Sequence, residues 1–205
     1  YRKQGKKLKF TTFLQSFKER EFRSVAFGYF GHMWELYTFW AFLPVILSAY
    51  NMHYPSAKLN VPLYAFLIIA SGAISCVISG TISKRYGAKK IAIISLLLSG
   101  GCCLVSPLFL FSNSVFLLLV FLFIWGITVI ADSPLFSTLI AQNSPEESRG
   151  TSLTIVNCIG FSITIISIQL INLLSNTINS QYIYVILALG PIFGLFALKQ
   201  KKYLA

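Results

Sequence analysis

Sixteen of the seventeen Lys and Arg residues of this 205-residue chain stand in four places separated by long apolar stretches. Eight lie in residues 1–23, four between Lys84 and Lys90, one at Arg149 and three between Lys199 and Lys202; only Lys58 stands elsewhere. Lys and Arg beside short membrane loops are retained on the cytoplasmic side. The spacing therefore predicts an all-α membrane protein with both termini and every second loop cytoplasmic. A crossing takes roughly 20 apolar residues, and six transmembrane helices are expected at about 24–48, 61–83, 91–111, 115–142, 150–175 and 181–198. Residues 1–23 become a basic cytoplasmic linker, 24–198 a six-helix transmembrane domain and 199–205 a cytoplasmic tail.

A chain that is 56% hydrophobic and 11% charged has no room beside these spans for a soluble catalytic domain. Its net charge of +11 sits at membrane borders, where topology and anionic lipid account for it without nucleic acid. Residues Phe10, Phe13, Leu14 and Phe17 have the spacing of an amphipathic helix lying on the inner membrane surface. The four cysteines fall inside spans, without CxxC or Cys/His ligand spacing, and read as small packing residues rather than disulfides or metal ligands. No HExxH, phosphate loop or Ser/His/Asp arrangement is present, so neither an enzyme nor a cofactor is expected.

Between the fourth and fifth spans, Ser144 followed by Glu147 has the form of a capping box, with Pro145 at the first helical position. Small residues every three or four positions in the second span (Gly72, Cys76, Ser79, Gly80) and the third (Ser95, Ser99, Cys103) predict close helix packing. Gly190-Pro191-Ile192-Phe193-Gly194 predicts a kink or close approach in the sixth.

Of six acidic residues, only Glu35 and Asp132 lie inside the expected spans. A charge at mid-membrane costs about 2.5–3.5 kcal/mol on insertion scales, so each needs a reason. Gly28, Gly31, His32, Glu35, Thr38 and Phe39 share one helical face, directed at the bundle or a water-filled cavity. His32 and Glu35 stand one turn apart and are expected to hydrogen-bond. The functional reading makes Glu35 a proton- or cation-binding carboxylate with His32 as partner; the structural reading makes the pair a packing hydrogen bond. Asp132 sits in Ala131-Asp132-Ser133-Pro134, a helix break and restart with Asp132 or Ser133 capping and Pro134 just inside. Trp125, Thr128, Asp132 and Phe136 share a face that could line a cavity. In the fifth span Asn157, Gly160, Thr164, Ser167 and Ser175 form a polar face suited to solute contact or to interhelical bonds.

The loop Gly80-Thr81-Ile82-Ser83-Lys84-Arg85-Tyr86-Gly87-Ala88-Lys89-Lys90 resembles the cytoplasmic signature of the major facilitator superfamily. Gly80, Arg85, Gly87, Lys89 and Lys90 match it, while Lys84 stands where the family usually has Asp. The stretches from Gly28 to Tyr37 and from Pro145 to Gly150 add to the likeness. It implies the carboxy-terminal half of a twelve-helix fold, with the amino-terminal six-helix half as missing partner and residues 1–23 as the linking loop. It further implies secondary active transport of a small solute by alternating access in the plasma membrane or bacterial inner membrane. Its coupling and cavity residues would be His32, Glu35, Thr38, Thr128, Asp132, Asn157 and Thr164, with protons as coupling ion. The rival reading is a six-helix structural or assembly subunit, or a truncated product, that transports nothing itself.

Overall fold

The computed structural model describes residues 16–199. The interfacial helix expected through Phe10, Phe13 and Leu14, and the tail after Lys199, lie outside them. Every described element is helical: α1 (Arg20–His53), α2 (Val61–Tyr86), α3 (Ala88–Phe109), α4 (Val115–Ile130), α5 (Ser133–Gln142), α6 (Arg149–Leu174) and α7 (Leu189–Leu198). Single stretches of 3-10 helix, Glu146–Ser148 and Ile183–Ala188, lead into α6 and α7.

Four segments are long and apolar enough to cross a bilayer: α2, α3, α4 with α5 (Val115–Gln142), and α6 with its leading turn (Glu146–Leu174). The other two expected spans differ for identifiable reasons. Helix α1 has 34 residues, about 50 Å, but carries His32 and Glu35 among its tyrosines and small residues. Ile183–Leu198 is apolar but short, and its first turns are wound as 3-10 helix.

Helix α1 is the axis of the bundle, packed against α7, α6, α5 and α2. Its approach to α7 is set by glycine on both sides. A Cβ on Gly31 would collide with the Gly190 carbonyl, and one on Gly190 with the Gly31 carbonyl and the Trp34 side chain. The close approach expected at 190–194 is therefore real, and α1 is its partner. Van der Waals contact of this kind is what drives helix association in lipid, where apolar burial alone does not. Gly160 on α6 likewise leaves room for Tyr29 and Met33, and Gly126 on α4 for Ile68.

Two expected caps are corrected. Ser144 starts no helix: it lies within one turn of α5, and its hydroxyl donates back to the Ile140 carbonyl at 2.6 Å. Pro145 is extended (φ −55°, ψ 141°), and α6 begins only at Arg149 after the 3-10 turn. The break at Ala131–Asp132 is present with Pro134 in the first turn of α5, but Asp132 makes no side-chain cap bond. Its backbone stays near helical (φ −89°, ψ −12°), so the ladder resumes with Phe136 N–H on the Asp132 carbonyl at 2.9 Å. Pro134 has no N–H for the Ile130 carbonyl; the Cys76 thiol of α2 donates to that carbonyl instead, at 3.6 Å. The break is a joint clasped from outside.

Lys89 Nζ meets Glu21 Oε2 at 2.9 Å, tying the start of α3 to the start of α1. Between α2 and α3, Gly87 adopts φ +88°, a backbone that other residues avoid. At the opposite end the Asn51 side chain clasps the Leu59 backbone through both its amide atoms. Tyr50 donates to the Ser112 carbonyl at 2.9 Å.

Candidate functional site: a buried polar seam along α1

The polar stripe of α1 faces the bundle, as its period requires. His32, Glu35 and Thr38 are all buried, Glu35 completely, while Trp34, Tyr37 and Trp40 on the other side are half-buried. The hydrogen bond expected between His32 and Glu35 is absent. Each goes to a different helix.

Glu35 accepts three bonds. Ser99 Oγ donates to Oε2 at 2.8 Å, while Cys103 Sγ at 3.1 Å and Trp125 Nε1 at 2.8 Å donate to Oε1. Ser99 and Cys103 are one turn apart on α3, and Trp125 is a fully buried ring on α4, tilted against Phe39 with centroids 4.6 Å apart. A buried carboxylate is tolerable only when its lone pairs are satisfied, and here three donors from two helices converge on it. The third span, whose small residues predict close packing first and solute contact second, thus supplies two of the three, and Cys103 is a donor rather than filler. All four cysteines are free thiols.

His32 turns to the joint. Its Nδ1 lies 2.9 Å from Asp132 Oδ1, within ion-pair distance but without the alignment of a hydrogen bond. Both side chains are 99% buried, and His32 Nε2 and both Asp132 carboxylate oxygens have no hydrogen-bond partner. The imidazole forms a three-ring cluster with Tyr29, at 6.0 Å, and Phe136 of α5, at 5.7 Å, which are themselves 6.2 Å apart. The reason Asp132 does not cap α5 is that its carboxylate is directed at α1.

The remaining candidates separate. Thr38 donates to Ser167 Oγ at 2.8 Å, and Ser167 donates to the Trp34 carbonyl at 2.8 Å. Thr164 donates to the Met33 carbonyl at 3.1 Å. The polar face of α6 is therefore spent on α1 through Thr164 and Ser167, whereas Ser175 is exposed and bonds within its own helix. Thr128 is half-buried and bonds back to Ile124 and Trp125. Asn157 is half-buried. Trp125, Asp132 and Phe136 are all buried. In the signature loop, Lys89 holds Glu21 and Arg85 lies over the Tyr86 ring at 5.4 Å. Gly80 has open space around it, and Lys84 and Lys90 are exposed.

Ser99, Cys103 and Trp125 are the site residues that the sequence reading missed in this role. One signal was available for Trp125: a buried indole N–H needs an acceptor, and few acceptors other than Glu35 lie inside the spans. For Ser99 and Cys103 the spacing was visible, but their partner was not.

Long apolar helices, with basic residues gathered in a short loop at one end, are those of an integral membrane protein. The sequence profile of the Major Facilitator Superfamily matches residues 9–202, and the chain belongs to that family, whose members are transporters of small solutes and generally not enzymes. No curated protein matches the chain.

Proposed function

We propose that this chain is the carboxy-terminal six-helix half of a secondary active transporter, moving a small solute by alternating access and coupled to protons. Helix α1 and Ile183–Leu198 are then the first and sixth crossings, with both ends cytoplasmic. The observation that carries the reading is the α1 seam: His32, Glu35 and Asp132, three ionisable side chains, are buried together in a chain of a transporter family. Ionisable groups inside the membrane are expensive and mark ion or substrate paths. The solute site lies at the midplane, against the amino-terminal half. No Lys or Arg stands within 24–48, 61–83, 91–111, 115–142, 150–175 or 181–198, so an anionic solute takes its cationic partner from that half.

The test uses the complete protein in liposomes and a panel of small solutes. Saturable exchange of at least one solute is expected, together with its uphill accumulation under an inward proton gradient. Glu35→Gln and Asp132→Asn are then compared. At least one abolishes accumulation while exchange survives, because exchange needs no proton release. Accumulation intact in both variants removes proton coupling from this half, and absence of exchange for every solute removes the transport reading.

A further inference from the structure

Away from the α1 seam, a groove of about 360 Å³ runs between α2, α3 and α4. Its walls are apolar: Ile78 and Ile82 of α2, Ile91, Ile94 and Leu98 of α3, and Ile127 of α4. Four hydroxyls also border it, and each is turned to its own helix. Ser71, Ser75 and Ser79 donate to the carbonyls of Ile68, Gly72 and Cys76, and Thr128 donates to that of Ile124. With their hydrogens spent on the backbone, these four offer a polar solute no donor.

One end of the groove lies at the basic loop. Ile82 stands two residues before Lys84, and Ile91 directly follows Lys90. Lys89 is engaged by Glu21, but among the described residues no carboxylate pairs with Lys84, Arg85 or Lys90, all three exposed. No acidic residue occurs between Glu35 and Asp132, so none of the three helices that form the groove supplies one. Arg85 lies over the exposed Tyr86 ring at 5.4 Å, and an aromatic ring at the end of a crossing sits at headgroup level.

We propose that this groove holds one acyl chain of an anionic phospholipid, with the lipid's phosphate bound by Lys84, Arg85 and Lys90. The fit is one of length and of charge. From Ser71 to Ile82 is about 16 Å at a rise of roughly 1.5 Å per residue, and the hydrocarbon of one leaflet is about 15 Å deep. Spread over that length, about 360 Å³ is a channel far thinner than a second helix, which is about 10–12 Å across with its side chains. Arg85 is suited to grip a phosphate through two parallel N–H bonds, while the lysines act as point charges. Each Lys or Arg beside an anionic leaflet is worth roughly a fivefold preference, so three together favour an anionic headgroup over a zwitterionic one by more than about tenfold. In the topology proposed above, the lipid belongs to the inner leaflet. The site needs a bilayer but not transport.

The complete protein would be reconstituted in phosphatidylcholine vesicles containing phosphatidylglycerol with a photoactivatable diazirine on one acyl chain, and labelled peptides read by mass spectrometry. Labelling is expected to concentrate in residues 71–82 and 91–98, more than about tenfold above that from phosphatidylcholine carrying the same diazirine. Lys84→Gln, Arg85→Gln and Lys90→Gln combined are expected to remove the excess, whereas Lys58→Gln, in the loop at the opposite end of α2, leaves it. Ile78→Trp, which fills the groove, is expected to remove it too, and Val77→Trp, exposed on α2 outside the groove, to leave it. The charge substitutions alter only exposed side chains, so they decide the matter even if the groove variant does not fold. Equal labelling by the two lipids overturns the proposal, as does an excess that survives in the combined charge variant or in Ile78→Trp. An unlabelled groove in the unaltered protein overturns it in favour of cover by another part of the protein. Loss of the excess on adding soluble glycerol phosphate overturns it in favour of a site for free phosphate. No solute enters the assay, so its failure leaves the transport reading standing, and failure of transport leaves this site standing.

Discussion

At the scale of residues, the seam turns on how each buried carboxylate is satisfied. Hydrogen bonds to charged groups contribute about 1.5–3 kcal/mol, and a buried group left short of a partner incurs its desolvation cost. Ser99→Ala removes the donor to Glu35 Oε2 and little volume, so it is expected to destabilise the folded chain by about 1–3 kcal/mol. In a Glu35→Met background, with no carboxylate to satisfy, the same substitution should cost much less. Denaturation midpoints of the four proteins in detergent micelles give the coupling directly. Equal costs in both backgrounds would mean that the Ser99 bond contributes nothing.

At the scale of elements, the α1–α7 contact depends on backbone touching backbone. Gly31→Ala places a methyl group against the Gly190 carbonyl, and overpacking of this kind costs about 1–3 kcal/mol. Gly101→Ala on α3 meets nothing within 4 Å and should be neutral or gain up to about 1 kcal/mol from helix propensity. Thermal unfolding of the two variants side by side checks the difference; equal stability would show that the helices separate freely. The elements themselves were largely legible in the sequence, because 3.6-residue periodicity and the length of apolar runs are local properties. The bundle-facing stripe of α1, the break before Pro134 and the glycine approach at 190–194 could all be read that way. What could not be read was which partner each polar group takes. His32 and Glu35 stand within reach of each other on one helix, yet donors from α3 and α4 take Glu35, and the joint takes His32. Those contacts join residues 64 to 90 positions apart for Glu35, which no spacing rule encodes. The capping box at Ser144 failed for a local reason. The preceding helix offered its hydroxyl a carbonyl one turn back, and that bond won over starting a new helix.

At the scale of the whole molecule, the account rests on six crossings. Four segments are long and apolar enough to cross; α1 and Ile183–Leu198 are proposed as the other two from the positions of Lys and Arg. If α1 did not cross, Glu35 and His32 would lie outside the hydrocarbon and the coupling argument would lose its premise. The direct measurement is cysteine accessibility in intact cells, with the four native cysteines replaced and single cysteines introduced at Lys18, Ser56, Lys90, Asn113, Asn176 and Lys199. An impermeant thiol reagent added outside is predicted to label positions 56, 113 and 176 and to leave 18, 90 and 199 unlabelled until the cells are opened. Outside labelling at position 18 or 199 would remove the first or last crossing, and outside labelling at position 90 would invert the topology and contradict the account at its base.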